Sequence, residues 1–208
     1  MPLCKSIEFY LVGCIKEDMN DLELTWYMQE ISMHGLGAEI DFQNLIETLN
    51  NPEARQTRFV WFHLSSFLSH AAMVSKYLDP ISPNTLKRER MNVLRERLNV
   101  TEQSKALPRD ARDNVEHFDE RIDNWVGGDA AILELVLDNR AAYDYLRVPR
   151  KRVKRILIQE DLVFVSEKRD CTKFELELAP LYEELKRIGE AAQQWIDRGS
   201  PCSFIYPH

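Results

Sequence analysis

The chain has 208 residues, Lys+Arg 27 against Asp+Glu 34, and a formal net charge of -7, so it is long enough to bury a core without staples. This acidic balance excludes a protein that holds nucleic acid through its overall field, although local basic patches can still contact phosphate. The four cysteines, Cys4, Cys14, Cys171 and Cys202, lack the close pairing of a zinc knuckle or redox motif and read as free thiols.

No run of apolar residues is long enough for a bilayer span, and Met1 to Cys14 lacks the pattern of a secretion signal. A cytoplasmic protein with no membrane partner is expected.

In chain order, Leu11, Ile15, Met19, Leu22 and Trp26 recur at steps of three and four, which predicts a helix from about Ser6 to His34. Gly35-Leu36-Gly37 is expected to end it, and a short helix follows from Asp41 to Leu49. Asn50-Asn51-Pro52 reads as a stop and a new start. Val60, Leu64, Phe67, Ala71, Val74 and Leu78 then alternate steps of four and three, widened by Trp61, Phe62 and Leu68, which predicts a central core helix.

Asp79 to Pro83 breaks that helix, and a charged helix spans Asn84 to Leu98 with Leu86, Met91, Leu94 and Leu98 on its apolar side. After Pro108, Val115, Phe118, Ile122 and Trp125 mark one side of a polar helix that Gly127-Gly128 ends. Asp129 can cap a further helix through Tyr145. Val153 to Ile158, Leu162 to Val165 and Phe174 to Leu178 are short strand-like runs separated by turn residues, so an antiparallel meander solvated on one face is expected. Pro180 opens a last helix to about Arg198.

The fold class is therefore mainly α: a helical bundle with a small antiparallel β meander before the last helix, α+β as a whole. The divisions are a bundle over 1–146, the meander over 147–179 and a C-terminal helix and tail over 180–208, all in one domain.

The densest chemistry lies between Arg112 and Trp125. At ~100° per residue, Arg112 falls on one flank of the apolar stripe and Asp113, His117 and Arg121 on the other, about 140° away. Two copies of the helix could bring both flanks to one substrate. Asn114 and Glu116 complete the polar surroundings. The same residues also fit a solvated face of ion pairs such as Arg112 with Glu116, each worth only ~0.2 to 0.5 kcal/mol.

Arg112, the polar Asp113 beside it, and His117 five positions after the arginine resemble the Arg-x4–6-His motif of HEPN-domain proteins, helical bundles that commonly dimerise. The resemblance implies a homodimeric endoribonuclease, toxin- or defence-like, that needs no metal or other cofactor. It makes His117 the proton-transfer group and Arg112 the group that stabilises charge on the phosphate, with Asp113 as the polar neighbour. Arg58 and His63 repeat the spacing, but Phe59 follows that arginine in an apolar segment, so the pair reads as coincidental.

Arg147, Arg150, Lys151, Arg152, Lys154 and Arg155 form a basic cluster that would serve such an enzyme as an RNA contact. The alternative is protection of a strand edge by charge. Lys87, Arg88, Arg90, Arg95 and Arg97 form a second cluster, diluted by Glu89 and Glu96.

Two other functions stay open. One is a noncatalytic helical interaction module. The other is a metal-binding bundle in which His63 and His70, seven apart on the core helix, join Asp113 and His117.

Overall fold

A computed structural model gives the fold; it describes residues 20–51, 57–107, 122, 123, 126, 133–146, 153–168 and 172–199. The elements are α1 (Asp21–Asn50), α2 (Thr57–Leu78), α3 (Thr85–Arg97), β1 (Leu133–Leu137), α4 (Arg140–Tyr145), β2 (Val153–Ile158), β3 (Val163–Glu167), β4 (Lys173–Glu177) and α5 (Leu178–Asp197). The chain is mainly helical, with a small mixed sheet before the final helix. Among the described residues no helix is long and apolar enough to cross a membrane.

Where two helices are expected before residue 50, one runs without a break. Asn20 caps α1 by accepting from the Glu23 N–H, and Glu23 reaches back to the Asn20 N–H in a capping box. Gly35-Leu36-Gly37 lies inside the helix, a correction to its reading as a stop. Each interior glycine costs about 0.5–1 kcal/mol relative to alanine. Packing offsets that cost: a Cβ on Gly35 would lie 2.6 Å from the Cα of Gly189, so the bare backbones of α1 and α5 touch there.

The buried side of α1 is Leu24, Met28, Ile31, Gly35, Ala38, Phe42, Leu45 and Leu49. Leu22 and Trp26, read from the sequence as part of the core stripe, are about half exposed on the opposite side. The remaining stripe residues, Leu11, Ile15 and Met19, lie outside the described residues.

α2 follows its periodicity closely. Val60, Leu64, Phe67, Ala71, Val74 and Leu78 are all buried, as are Trp61 and Leu68, whereas Phe62 is exposed and does not widen the stripe. Asn84 caps α3 by accepting from the Lys87 N–H. Leu94 and Leu98 anchor α3 to the core, but Leu86 is exposed.

Over residues 133–145 the helix expected from Asp129 to Tyr145 is replaced by β1 and the short α4, and its first residues lie outside the described ones. Leu135, Val136 and Leu137 pair with Ile156, Leu157 and Ile158 of β2 in parallel. Asn139 ends the strand and caps α4 by accepting from the Ala142 N–H. The sheet order is β1-β2-β3-β4, and β2-β3 and β3-β4 are antiparallel, with Leu157 opposite Phe164 and Phe164 opposite Leu176. The expected meander is present, extended by one parallel strand.

One sheet face, through Leu157, Phe164 and Phe174, joins the core of α1, α2 and α5. The other carries Ile156, Ile158, Val163 and Val165, packed against Leu135, Leu137, Tyr143 and Leu146. β3 is therefore buried at all five positions, whereas the expected solvated face is found at β4, where Glu175 and Glu177 are exposed. α4 supplies part of that cover. The first turn of α5 contains Pro180, whose missing N–H costs nothing at a helix start.

Candidate functional site

Arg112, Asp113, Asn114, Glu116, His117 and Arg121 lie outside the described residues, as do Arg147, Arg150, Lys151 and Arg152. Lys154 and Arg155 are described, and both stand on β2. Their Nζ and Nη2 atoms bind the two oxygens of Glu134 on β1, the arginine at 3.0 Å. Arg155 also donates to Ser65 Oγ and stacks its guanidinium 4.6 Å from the Trp61 ring centroid. Burial opposes ionisation of Glu134, but the hydrogen bonds and charges of Arg155 and Lys154 outweigh it and hold the carboxyl below its usual range.

The pair thus clamps the parallel β1-β2 ladder to α2. β2 lies between β1 and β3, so edge protection does not explain these two cations.

The polar constellation that the described residues do assemble sits between α1 and α2. His63, Ser66 and His70 follow steps of three and four on α2, so they share one face. His34, Gly37 and Asp41 form the matching line on α1. Ser66 Oγ donates to Asp41 Oδ2. His63 Nδ1 stands 3.6 Å from Asp41 Oδ1, and His70 Nε2 stands 3.6 Å from Asp41 Oδ2.

On its far side, His70 Nδ1 is 2.9 Å from His34 Nδ1, and His34 Nε2 is 3.8 Å from a Glu30 oxygen. Gly37 makes room for this arrangement, because a Cβ there would come within 2.4 Å of the His70 ring. Asp41 is only 14% exposed, so its charge is held in a partly dry seam.

Burial, and then the neighbouring His70, lower the proton affinity of His34; Glu30 partly opposes them. These groups lie in a row from Glu30 through His34 and His70 to Asp41, in which the contact between the two imidazoles is of hydrogen-bond length and the two end contacts are longer. It differs from a nucleophile triad, since Ser66 gives its hydrogen bond to the carboxylate and not to an imidazole. His63 and His70 do share a face, as the metal-binding alternative expects, but that face meets Asp41. Among the described residues no group of three or more His, Cys, Asp or Glu side chains is placed to hold a metal ion.

Sequence reasoning named His63 and His70 but missed His34, Asp41 and Ser66. The signal available was the seven-residue spacing of His34 and Asp41, hidden by reading the intervening glycines as a helix stop. Comparison with protein-family models, with curated proteins and with solved structures finds no match to this chain.

Proposed function

We propose that this chain is a metal-independent endoribonuclease of the HEPN type, toxin- or defence-like, working as a homodimer. The observation that carries the reading is the Arg112-x4-His117 pattern with polar Asp113, set in a chain whose described part is mainly helical. The wide separation of Arg112 and His117 around one helix favours a site shared by two copies. In that site the RNA 2′-hydroxyl attacks the adjacent phosphorus while the P–O5′ bond breaks. His117 takes the hydroxyl proton or supplies one to the leaving 5′-oxygen, and Arg112 stabilises the charge on the phosphate. The product is a 2′,3′-cyclic phosphate.

The test is incubation of the purified full chain with single-stranded and structured RNA in the presence of chelator. Cleavage is expected, with 2′,3′-cyclic phosphate ends. His117→Ala should lower turnover by ~10²- to 10⁴-fold and Arg112→Ala comparably, while Arg58→Ala retains cleavage. Absence of cleavage on every substrate, or cleavage untouched in the His117 variant, would overturn the enzyme reading.

A second reading, a noncatalytic interaction module, is favoured by the half-exposed apolar residues on the outer side of α1.

A further inference from the structure

α1 is apolar on two sides. Its inner face is buried, while Leu22, Met33, Leu36 and Ile40 are 48% to 58% exposed on the outer one. Trp26 lies on the same line and has contacts of its own; the other four define the line without it. At ~100° per residue these positions fall within an arc of about 80°, centred opposite Met28, Ile31 and Phe42. From Leu22 to Ile40 the strip is about 27 Å long at 1.5 Å per residue.

An exposed leucine alone means little, but several aligned along five turns make an apolar strip, interrupted on this line by Gln29. The spacing matters as much as the exposure. Leu22, Trp26, Gln29, Met33, Leu36 and Ile40 alternate steps of four and three, the seam by which one helix receives another.

The seam is held still by its neighbours. Lys186 Nζ binds Glu39 at 2.8 Å and Ser32 donates to Gln193, tying α1 to α5 on one side. The contacts of His34 with His70 and of Asp41 with Ser66 tie it to α2 on the other.

Charge selects the occupant. α1 contains Asp21, Glu23, Glu30, Glu39, Asp41 and Glu47 and no lysine or arginine. Glu39 is matched by Lys186, and Asp41 and Glu30 face histidines, but Glu30 is still about half exposed beside the seam, with exposed Asp21 at one end and exposed Glu47 about two turns beyond the other. A second copy of α1 brings only further acids and no lysine or arginine to answer them, and laid parallel it would set each acid against its own copy. Such repulsion is a means of refusing a partner.

We infer that the outer face of α1 is a docking site for a basic amphipathic helix of another protein, with an apolar seam flanked by lysine or arginine. This inference rests on the interaction-module reading of the chain and stands whether or not RNA is cleaved. The net charge of -7 would also speed the encounter with a basic partner.

The test uses two labelled helical peptides with the same leucine and isoleucine seam, one with lysine and the other with glutamate at the flanking positions. Binding to the full chain is read by fluorescence anisotropy. The lysine peptide should bind at least about tenfold more tightly than the glutamate peptide, and more weakly at high salt. Leu36→Asp should abolish its binding while the circular dichroism spectrum is unchanged. That variant adds a negative charge, so generic attraction to an acidic protein would not weaken.

Equal binding of both peptides, or lysine-peptide binding that survives Leu36→Asp, would overturn the inference. Sedimentation showing a dimer that Leu36→Asp dissociates would leave a seam for a second copy, so the basic partner fails and the interaction module survives. No binding by either peptide, together with a monomer unaffected by Leu36→Asp, would remove both.

Discussion

The Nδ1 atoms of His34 and His70 lie 2.9 Å apart across the α1-α2 seam, close enough to share one proton and too close to carry two comfortably. One Nδ1 must donate and the other accept, which two neutral rings can do and which a second proton at this edge would abolish. Burial adds to the effect, and both influences lower the pKa of His34.

The sign of the pH dependence follows. Below the ordinary histidine value of 6.5 the unfolded chain takes up a proton at His34 that the folded chain still refuses. The His34 contribution is therefore fully present above that value. It is lost as the pH falls from 6.5 through the lower folded value. The urea midpoint should drop between about pH 7.5 and pH 5.5, and drop less in His34→Gln. A folded-state proton NMR titration of His34 centred at or above the ordinary value would contradict this.

A second prediction concerns the bare contact of α1 with α5. A Cβ on Gly35 would meet the Gly189 backbone at 2.6 Å, and a Cβ on Gly189 would meet Gly35 Cα at 2.9 Å. Backbone cannot step aside as a flexible side chain can. Gly35→Ala should therefore destabilise by about 1–3 kcal/mol, even after the ~1 kcal/mol that alanine gains in a helix. Chemical denaturation of Gly35→Ala and Gly189→Ala measures it; a stabilised Gly35→Ala would mean that the helices separate freely. Gly37→Ala would instead push the His70 ring and break its approach to His34.

The third prediction separates the two sides of α1. Ile31 is fully buried and Leu36 is 58% exposed, only five positions away. Ile31→Ala should cost about 2–5 kcal/mol, through lost burial and the cavity left behind. Leu36→Ala should stay within about 0.5 kcal/mol of the parent. Equal losses in thermal or urea unfolding would show that the outer seam is part of the folded core.

This contrast also explains what the sequence made legible. α2 buries one apolar face, so the recurrence of Val60, Leu64, Phe67, Ala71, Val74 and Leu78 named buried residues directly, with Phe62 the exception. α1 has two, and the periodicity of Leu22 and Trp26 is as regular on the outer side as that of Leu24, Met28 and Ile31 on the inner. Periodicity reports a stripe, not what covers it. Gly35 misled for a related reason: its partner, Gly189, is remote in sequence, and only that packing makes a mid-helix glycine useful. β1 was read as helix because a short apolar run such as Leu133–Leu137 fits either period, and its parallel pairing with β2 is a tertiary fact. Asp41 and Ser66 acquire meaning only when two helices meet.

The last prediction divides the basic cluster by structure. Lys154 and Arg155 are already committed to Glu134, and Arg155 also to Ser65 and the Trp61 ring. Reversing them places three carboxylates together in a partly buried position, where like charges repel and Glu134 has lost both of these cationic partners. Lys154→Glu with Arg155→Glu should therefore lower the unfolding midpoint strongly, whatever its effect on RNA. Arg150, Lys151 and Arg152 are the members that test the RNA contact proposed from the sequence. Phosphate contacts release counterions, so binding through them weakens linearly in log–log salt plots, with a slope that shrinks as contacts are removed. The triple variant Arg150→Glu, Lys151→Glu, Arg152→Glu should bind RNA more weakly, with a shallower salt slope and an unchanged unfolding midpoint. A filter-binding series over salt, run beside urea unfolding, separates the two groups. If the triple variant keeps full affinity and slope, the cluster does not contact RNA; if its unfolding midpoint falls with that of the Lys154 and Arg155 variant, all of these cations serve the fold.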